Sequence, residues 1–333
     1  MRIGIIGAGA IAERAHIPAF QRAGATIAAI ADTDLARARR LAERVGIPKV
    51  YSDFKQMLDQ NLDVVSICTP PITHASIALE AAQKCRNILL EKPMATNLSE
   101  AEDLVEICNS SKIKLCVVHQ YRFIPCVQSA RRRIVSGRIG KIISIQLTAH
   151  PQFPMRWSDS AWLYDKWSLL DDFGVHLFDV LSYLTDASPL RISTFAHDST
   201  GKMGFFDSIQ VLIELGQSLV AFVDLSWISS SIETTANVFG TGGKITLDIR
   251  NNSLTEVHGY ITPFDEMSAT IRKSSRTIAS VLSRRYFKGT LLYHELLIRS
   301  FLSSIVNDIA PPVGPLEGKK IVEFLQKTKA SLN

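Results

Sequence analysis

The sequence has few cysteines and no two of them at close spacing. Its five cysteines stand singly along the chain, without a C-x-x-C pair. This spacing fits neither a zinc site nor a disulfide framework, and it favours buried thiols in a reducing compartment. The cysteines are Cys68, Cys85, Cys108, Cys116 and Cys126.

Long apolar runs are also missing. The apolar segment near the N-terminus, residues 3–11, is broken by Gly4, Gly7 and Gly9, so it resembles neither a signal peptide nor a membrane span. We therefore expect a cytoplasmic location without stable membrane insertion. No internal repeat or low-complexity linker interrupts the 333 residues, which suffice for two domains with separate cores.

Charge of one sign is in slight excess only. The chain has 37 basic and 32 acidic residues, a formal net charge of +5, which is too small for a dedicated nucleic-acid binder. Its content of 46% hydrophobic and 21% charged residues excludes disordered and fibrous classes.

Short apolar runs alternate with helical patterns up to about residue 120. Because parallel strands need crossover connections that pack over the sheet, this alternation predicts a doubly wound parallel sheet. The predicted strands are Arg2–Ile6, Thr26–Ala31, Val64–Cys68, Asn87–Leu90 and Lys114–Val118, and the predicted helices are Asp34–Val45, His74–Lys84 and Ser99–Ser111.

The second half predicts an α+β domain. Several of its strands are too close in sequence for a crossover helix between them, so we expect a mostly antiparallel open sheet with one face covered by helices. The predicted strands are Lys141–His150, Arg191–His197, Ser208–Leu215, Leu219–Trp227, Thr234–Gly240 and Lys244–Ile249. The predicted helices are Asp171–Leu184, Tyr293–Val306 and Glu317–Lys329. We place the boundary within residues 119–125, giving domains 1–121 and 122–333.

The first strand leads directly into a G-x-G-x-x-A turn and a helix. In this motif Gly7 permits a tight turn, Gly9 lets the backbone approach a pyrophosphate, and Ala12 allows close packing of the helix. The diphosphate would lie at the helix N-terminus, where free N–H groups attract anions. A purely structural glycine turn is the alternative interpretation.

The second strand ends at Asp32, at the spacing where a carboxylate accepts hydrogen bonds from the adenosine ribose. Asp32 would repel a 2′-phosphate, and no arginine follows it directly, so NAD is favoured over NADP. The next helix contains three arginines, Arg37, Arg39 and Arg40, which could bind the 2′-phosphate of NADP. The alternative is that they form a solvated helix face.

Two further strands end in residues suited to chemistry. One is followed by residues 68–74, Cys-Thr-Pro-Pro-Ile-Thr-His, and the next by Glu91-Lys92-Pro93. The carboxyl ends of parallel strands form the ligand crevice of such sheets. Lys92 could hold an ammonium group against substrate and nicotinamide, or be an exposed lysine at a strand end.

The segment 171–184 predicts an amphipathic helix. Residues Asp172, His176, Asp179 and Tyr183 would share one face at spacings of three and four, opposite an apolar stripe. A carboxylate beside an imidazole raises its proton affinity, which suits a base in hydride transfer. A capping aspartate with a histidine satisfied at an interface is the alternative.

Taken together, these motifs resemble the Gfo/Idh/MocA family of NAD(P)-dependent sugar and cyclitol dehydrogenases. The resemblance spans nearly the whole chain. It rests on Gly7-x-Gly9-x-x-Ala12, Thr69-Pro-Pro-x-x-His74, Glu91-Lys-Pro93, Tyr121-Arg-Phe123 and Asp172-x-Gly-x-His176-x-x-Asp179.

The resemblance implies site residues for hydride transfer at a secondary hydroxyl or keto carbon. Lys92, Asp172 and His176 are the expected catalytic residues, with His176 as acid/base, Lys92 polarising the oxygen and Asp172 orienting a sugar hydroxyl. The expected cofactor-binding residues are Gly7, Gly9, Ala10, Ile11, Ala12, Asp32, Thr69, Pro70, His74, Glu91, Lys92 and Arg122. The expected substrate-binding residues are Lys92, Arg122, Arg156, Trp157, Lys166, Asp172 and His176.

One loop departs from the family pattern. Where many members carry a glycine triplet before the aspartate, this chain has Lys166-Trp167-Ser168. Substrate specificity therefore cannot be copied from those members. Together with Arg156 and Trp157, Lys166 and Trp167 could line a sugar pocket, although ordinary packing explains the tryptophans equally well.

A basic segment occupies residues 272–288, which contain six basic and no acidic residues. It could bind the diphosphate of a nucleotide sugar, touch an acidic membrane surface, or form a solvated face. The expected partner is a sugar-like small molecule. We also expect a homodimer or homotetramer, since one sheet face is left uncovered. A non-catalytic dinucleotide-binding sensor or assembly protein is the alternative function, suggested by the altered loop alone.

Overall fold

A computed structural model describes residues 1–153, 161–201, 203–259 and 291–332, together with 267 and 271. The chain divides into two units. The first contains Met1–Gln120 and Thr290–Val322, and the second contains Tyr121–Gly289 and Glu323–Asn333.

The first unit contains a six-stranded parallel sheet of order β3-β2-β1-β4-β5-β6, which confirms the predicted doubly wound fold. The strand order reverses between β1 and β4. Strand β3 was not predicted, because its two residues are too few to show any periodicity. The strands are β1 Arg2–Ile6, β2 Thr26–Ala31, β3 Val50–Tyr51, β4 Val64–Ile67, β5 Asn87–Leu90 and β6 Lys114–Val117.

The second unit contains a seven-stranded sheet of order β13-β12-β11-β7-β10-β9-β8. All neighbours are antiparallel except β7 and β10, so the prediction of a mostly antiparallel sheet is confirmed. The short last strand was not predicted. The strands are β7 Ile142–His150, β8 Pro189–His197, β9 Ser208–Leu215, β10 Leu219–Ser226, β11 Glu233–Gly240, β12 Gly243–Asp248 and β13 Ser253–His258.

Nine α-helices lie in the described ranges, and two of them are preceded by π-helical turns, Ala12–His16 before the first and Leu170–Gly174 before the seventh. In those ranges no helix combines the length and apolarity needed to cross a membrane. The helices are α1 Ile17–Arg22, α2 Leu35–Val45, α3 Phe54–Leu58, α4 His74–Ala82, α5 Leu98–Ser111, α6 Pro125–Val135, α7 Val175–Thr185, α8 Leu291–Val306 and α9 Pro315–Ala330.

Helix α6 was not predicted from the sequence. Pro125 occupies its first turn, where a missing N–H costs nothing, but the segment contains three consecutive arginines, 131–133. Only Cys126, Val127 and Ala130 of the helix are buried, which is too narrow an apolar stripe to stand out in the sequence.

The core of the second unit lies between its sheet and α7. Ile145, Leu147 and Ala149 of β7 are fully buried and pair with equally buried residues of β10, while α7 packs against β7. Gly174 is required at the start of this helix because a Cβ there would lie 3.1 Å from Leu225 Cδ1 and 2.7 Å from Leu170 Cδ1. Close packing therefore explains why the D-x-G-x-H pattern has a glycine at this position.

The prediction that both terminal helices cover the second sheet was wrong for α8. This helix packs against α1 within the first unit, where Arg22 Nε donates to Glu295 Oε2 at 2.6 Å. Only the last turns of α9 belong to the second unit, where Phe324 stacks on Phe178. An apolar stripe on a helix predicts that this face is buried, but it does not indicate which part of the protein packs against it.

Candidate active site

The glycine turn after β1 has the geometry that the motif predicts. Gly7 adopts φ = 96°, and a Cβ there would lie 2.7 Å from the carbonyl oxygen of Cys68. At Gly9 a Cβ would meet nothing within 4 Å, so the protein itself leaves that space open. The following helix covers residues 10–22, and Ala12 is completely buried in it. These features fit a dinucleotide diphosphate at the turn.

Asp32 lies beside this turn and is partly exposed. Its Oδ2 accepts a 2.7 Å hydrogen bond from the backbone N–H of Ala8, and its Oδ1 accepts one of 2.8 Å from Asp34. Each carboxylate oxygen has further acceptor capacity, which suits ribose hydroxyls. Arg37 is bound to the Asp34 carboxylate at 3.2 Å, and Arg39 and Arg40 are exposed, in agreement with a solvated helix face.

His74 connects two of the predicted site segments. Its ring is fully buried, with Nδ1 2.7 Å from the carbonyl oxygen of Pro93 and Nε2 2.8 Å from that of Thr69. Burial lowers the pKa of His74. The Thr69-Pro70 turn and the Glu91-Lys92-Pro93 segment are therefore adjacent, and both ring nitrogens face main-chain oxygens.

Glu91 is buried and lies against His16. Its Oε1 is 2.8 Å from His16 Nε2, and its Oε2 accepts a 3.2 Å bond from the backbone N–H of Lys92. Burial by itself would raise the pKa of Glu91, but the hydrogen bond and positive charge of His16 lower it to about 2. Glu91, expected to bind cofactor, is thus engaged inside the protein, whereas Lys92 is half-buried.

In the second unit the predicted catalytic residues lie on both sides of one helical junction. Asp172 belongs to the π-helical turn and His176 to the first turn of α7, and both are buried. The expected polar and apolar faces are not separated, because residues 174–182 are buried all around the helix. The π-turn also changes the register, so Asp172 and His176 do not follow one uninterrupted α-helical spacing.

Tyr121 stacks on His176 with ring centroids 4.4 Å apart and planes inclined by 7°. Burial, and then the negative charge of Asp172, raise the pKa of Tyr121. Sequence reasoning used Tyr121 as part of a motif but gave it no role. A stack between residues 55 positions apart leaves no local signal.

Arg122 forms a buried ion pair with Asp179. Its Nε and one terminal nitrogen lie 2.8 and 2.7 Å from Asp179 Oδ1, and its guanidinium carbon lies 5.3 Å from the ring centroid of Tyr183. Arg122 was expected to contact cofactor or substrate, and the structure places it in this network with two residues of α7.

The loop that replaces the glycine triplet packs on Phe206. The Lys166 ammonium lies 5.0 Å from the Phe206 ring centroid, and the Trp167 ring meets Phe206 edge-on at 4.9 Å. Lys166 remains exposed. Arg156, Trp157 and the basic segment 272–288 lie outside the described residues.

The site residues thus form two groups, each described within its own unit. Among the described residues, no three or more His, Cys, Asp or Glu side chains are grouped to hold a metal ion. The first group, at the carboxyl ends of the parallel strands, comprises Gly7, Gly9, Asp32, Thr69, His74, Glu91 and Lys92. The second comprises Tyr121, Arg122, Asp172, His176 and Asp179.

Two models of one protein family match this chain, one in each of two consecutive regions. Residues 1–119 match the family model "Oxidoreductase family, NAD-binding Rossmann fold", and residues 127–246 match "GFO/IDH/MocA C-terminal domain". The chain is 25% identical to myo-inositol 2-dehydrogenase of Thermotoga maritima, over 100% of this chain and 96% of that protein. It is 31% identical to D-xylose 1-dehydrogenase (NADP(+)) 2 of Haloferax volcanii, over 58% of each chain.

A solved structure shows the same fold over both units. The WlbA dehydrogenase of Bordetella pertussis, in complex with NADH and UDP-GlcNAcA, has a TM-score of 0.81 at 21% identity, with 99% of this chain and 95% of that chain covered. The two family models together cover most of the sequence. This chain therefore belongs to the Gfo/Idh/MocA family of oxidoreductases.

Proposed function

We propose that this protein is an NAD-dependent dehydrogenase that acts on a secondary hydroxyl or keto carbon of a sugar, cyclitol or nucleotide sugar. The observation that carries the proposal is the arrangement around the glycine turn. The open space at Gly9, the carboxylate of Asp32 and the half-buried Lys92 all lie at the carboxyl ends of the parallel strands.

When bound, NAD supplies the acceptor for the hydride that leaves the carbinol carbon. His176 accepts the hydroxyl proton in oxidation and returns it in reduction, while the ammonium group of Lys92 stabilises the negative charge that develops on the oxygen. Asp172 orients a neighbouring hydroxyl. Because Arg122 is already bound to Asp179, we assign it to holding α7 in place.

The preference for NAD rests on Asp32. Its charge would repel a 2′-phosphate, while its free acceptor capacity suits the 2′- and 3′-hydroxyls of NAD. Arg37, the first arginine that could neutralise such a phosphate, is bound to Asp34. The relative from Haloferax volcanii is named as an NADP(+) enzyme, so the cofactor preference of this protein has to be measured. We expect NADH to bind more tightly than NADPH.

The substrate class has two branches, a free sugar or cyclitol and a nucleotide sugar. Both occur among the similar proteins, as the names of the inositol and xylose enzymes and the UDP-GlcNAcA complex show. The exposed ammonium of Lys166 and the basic segment 272–288 favour an anionic substrate group. No comparison supports the alternative of a non-catalytic sensor or assembly protein.

We further propose a cytoplasmic homo-oligomer. The second sheet exposes apolar side chains on the face opposite its core, with Phe195 51% and Leu212 50% exposed, beside Val220 and Phe222. A second copy would cover them. Replacing Phe222 by lysine should then lower the molar mass measured by light scattering, and an unchanged mass would overturn this part. The location rests on five buried cysteines, none of which forms a disulfide bond.

The test of the main proposal is the nicotinamide absorbance change with NAD or NADP and a panel of free sugars, inositols and nucleotide sugars. Reduction of NAD by one group of compounds would identify the reaction and the substrate class together. Lys92→Ala and His176→Ala should each lower turnover by about 10²- to 10⁴-fold and largely spare NADH binding. Unchanged turnover in both variants would refute the assigned roles.

A further inference from the structure

The residues on either side of Lys92 are each bound by a buried histidine. His16 Nε2 lies 2.8 Å from the carboxylate of Glu91, and His74 Nδ1 lies 2.7 Å from the carbonyl oxygen of Pro93. Both histidine rings are completely buried, so neither contact is in competition with solvent. Lys92 itself stays half-buried between these two anchored residues.

His16 connects three structural elements. It lies at the end of the π-helical turn that follows the glycine loop, and its Nδ1 is 2.8 Å from Ser66 Oγ on β4. Through Glu91 it also reaches the residues that follow β5. A π-helical turn inserts an extra residue into a helix, often at functional sites, and here it places an imidazole in the core.

Glu91 uses both carboxylate oxygens in this network. Oε1 faces His16, and Oε2 accepts the backbone N–H of Lys92 at 3.2 Å. The bond to Oε2 fixes the backbone of Lys92, and the Lys92 ammonium contributes to the low pKa of Glu91. His294 of α8 also faces it, with Nε2 4.0 Å from Oε1.

Charge strengthens this arrangement. Burial by itself would lower the pKa of His16, but Cys68 and Glu91 raise it to about 10. Cys68 faces the network through Ser66, at 3.7 Å from its Oγ. An imidazolium can donate from both ring nitrogens, whereas the neutral ring donates from one only. The pair is an internal ion pair, and an apolar pair of similar volume could supply stability as well, so stability alone is a weak reason for it.

We propose that His16 and His74 are positioning residues for Lys92: they fix Glu91 and Pro93 and so hold the Lys92 ammonium where the reacting oxygen binds. The inference rests on the proposed function of Lys92. Neither histidine touches substrate in this proposal, and each acts through the backbone of the Glu91-Lys92-Pro93 segment.

The test compares His16→Gln and His74→Gln with Leu104→Ala. Leu104 is a fully buried residue of α5 in the same unit, and neither histidine contact involves it, so its truncation serves as a control for lowered stability. The rate of Lys92 acylation by a limiting amine-reactive ester is measured by mass spectrometry relative to the exposed Lys112. This ratio does not depend on turnover. Thermal midpoint, Kd for NADH, kcat and KM are measured on the same samples.

In His16→Gln we expect the ratio to fall by about threefold or more, equivalent to about half a pKa unit, because the Glu91 carboxylate loses the His16 charge and acts more strongly on the Lys92 ammonium. kcat should fall about tenfold or more in both histidine variants, with KM and the Kd for NADH within about twofold of wild type. Ser66→Ala, which leaves the Glu91 contact in place, should give a smaller change in the same direction as His16→Gln. Leu104→Ala should lower the thermal midpoint and leave the ratio and kcat unchanged.

The proposal is overturned if both histidine variants behave as Leu104→Ala does, with a lower thermal midpoint, a ratio within about twofold of wild type and unaltered kcat. The proposed function fails separately, if wild-type protein turns over no member of the panel. In that case the acylation ratio of His16→Gln, compared with that of Leu104→Ala, still decides whether His16 positions Lys92.

Discussion

The Tyr121 ring lies flat against the His176 imidazole, with 4.4 Å between the ring centroids. Phe173 meets the same imidazole edge-on at 6.2 Å. A ring held between aromatic neighbours has a defined orientation, which is what a general base needs if its nitrogen is to meet a substrate hydroxyl.

Removal of this stack should therefore affect turnover more than binding. We expect Tyr121→Ala to lower kcat by about 10- to 100-fold because the imidazole loses its orientation, and to cost about 3–5 kcal/mol of unfolding free energy because the ring is buried. Tyr121→Phe keeps the stack and is the matched control. Steady-state kinetics and urea unfolding measure both effects, and equal kcat in the two variants would show that the stack has no part in the reaction.

Two glycines of the same turn should respond differently to alanine. Gly7→Ala forces a side chain into positive φ and against the Cys68 carbonyl, so it should lower the thermal midpoint. In Gly9→Ala the added methyl group lies in open space, so the thermal midpoint should not change. The Kd for NADH should rise about tenfold or more, because the methyl group occupies the space of the diphosphate. Differential scanning calorimetry and NADH fluorescence titration measure the two effects. A Gly9→Ala protein with wild-type affinity would place the diphosphate elsewhere.

Asp32 should set the preference between the two nicotinamide cofactors. In Asp32→Asn the 2′-hydroxyl loses a charged acceptor and a 2′-phosphate loses its repulsion. A hydrogen bond to a charged group is worth about 1.5–3 kcal/mol, so the Kd for NADH should rise by about 10- to 100-fold, while that for NADPH rises less or falls. Titration with both cofactors gives the ratio of the two Kd values. If this ratio does not change, Asp32 does not select the cofactor.

The His16–Glu91 pair should make stability depend on pH. The folded pKa of His16, about 10, exceeds its ordinary 6.5, so its contribution is complete below pH 6.5 and is lost as pH rises towards 10. The folded pKa of Glu91, about 2, is below its ordinary 4.5, so its contribution is present above pH 4.5 and is lost as pH falls towards 2.

The stabilising effect of the pair is therefore largest between pH 4.5 and 6.5. The double variant His16→Gln/Glu91→Gln lacks both charges. Its difference in unfolding free energy from wild type should be largest at about pH 5.5 and smaller at about pH 3.5 and 8.5, by urea unfolding. A constant difference across this range would mean that folding does not shift the pKa values of His16 and Glu91.

Arg122 and Asp179 should be strongly coupled. Removing one partner of a buried ion pair leaves an uncompensated charge and costs about 3–5 kcal/mol, whereas an apolar pair of similar volume can be nearly neutral. We expect Arg122→Met and Asp179→Leu each to destabilise more than the double variant does, with a coupling energy of about 3 kcal/mol or more. Urea unfolding of the three proteins gives this energy, and additive losses would argue against the pair as a unit.

The sequence predicted those parts of the fold that have a local cause. Short apolar runs between helical patterns located five of the six parallel strands, and strand-like segments separated by turns located six of the seven strands of the second sheet. The strands it missed, Val50–Tyr51 and Ser253–His258, and the arginine-rich helix Pro125–Val135 have too few buried apolar residues to produce a pattern. The glycine turn could be predicted from the sequence, because a positive φ and a close backbone approach both require glycine at that position.

By itself the sequence determined the order of most strands and helices, the glycine turn and the segments that carry Lys92, Asp172 and His176. Only the tertiary structure decided that His16 binds Glu91, that His74 faces Pro93, that Arg122 pairs with Asp179, and that the helix Leu291–Val306 packs on the first unit. The physical reason is the same in each case. A contact between residues far apart in the chain follows from which surfaces pack together, and that packing leaves no periodic pattern around either residue.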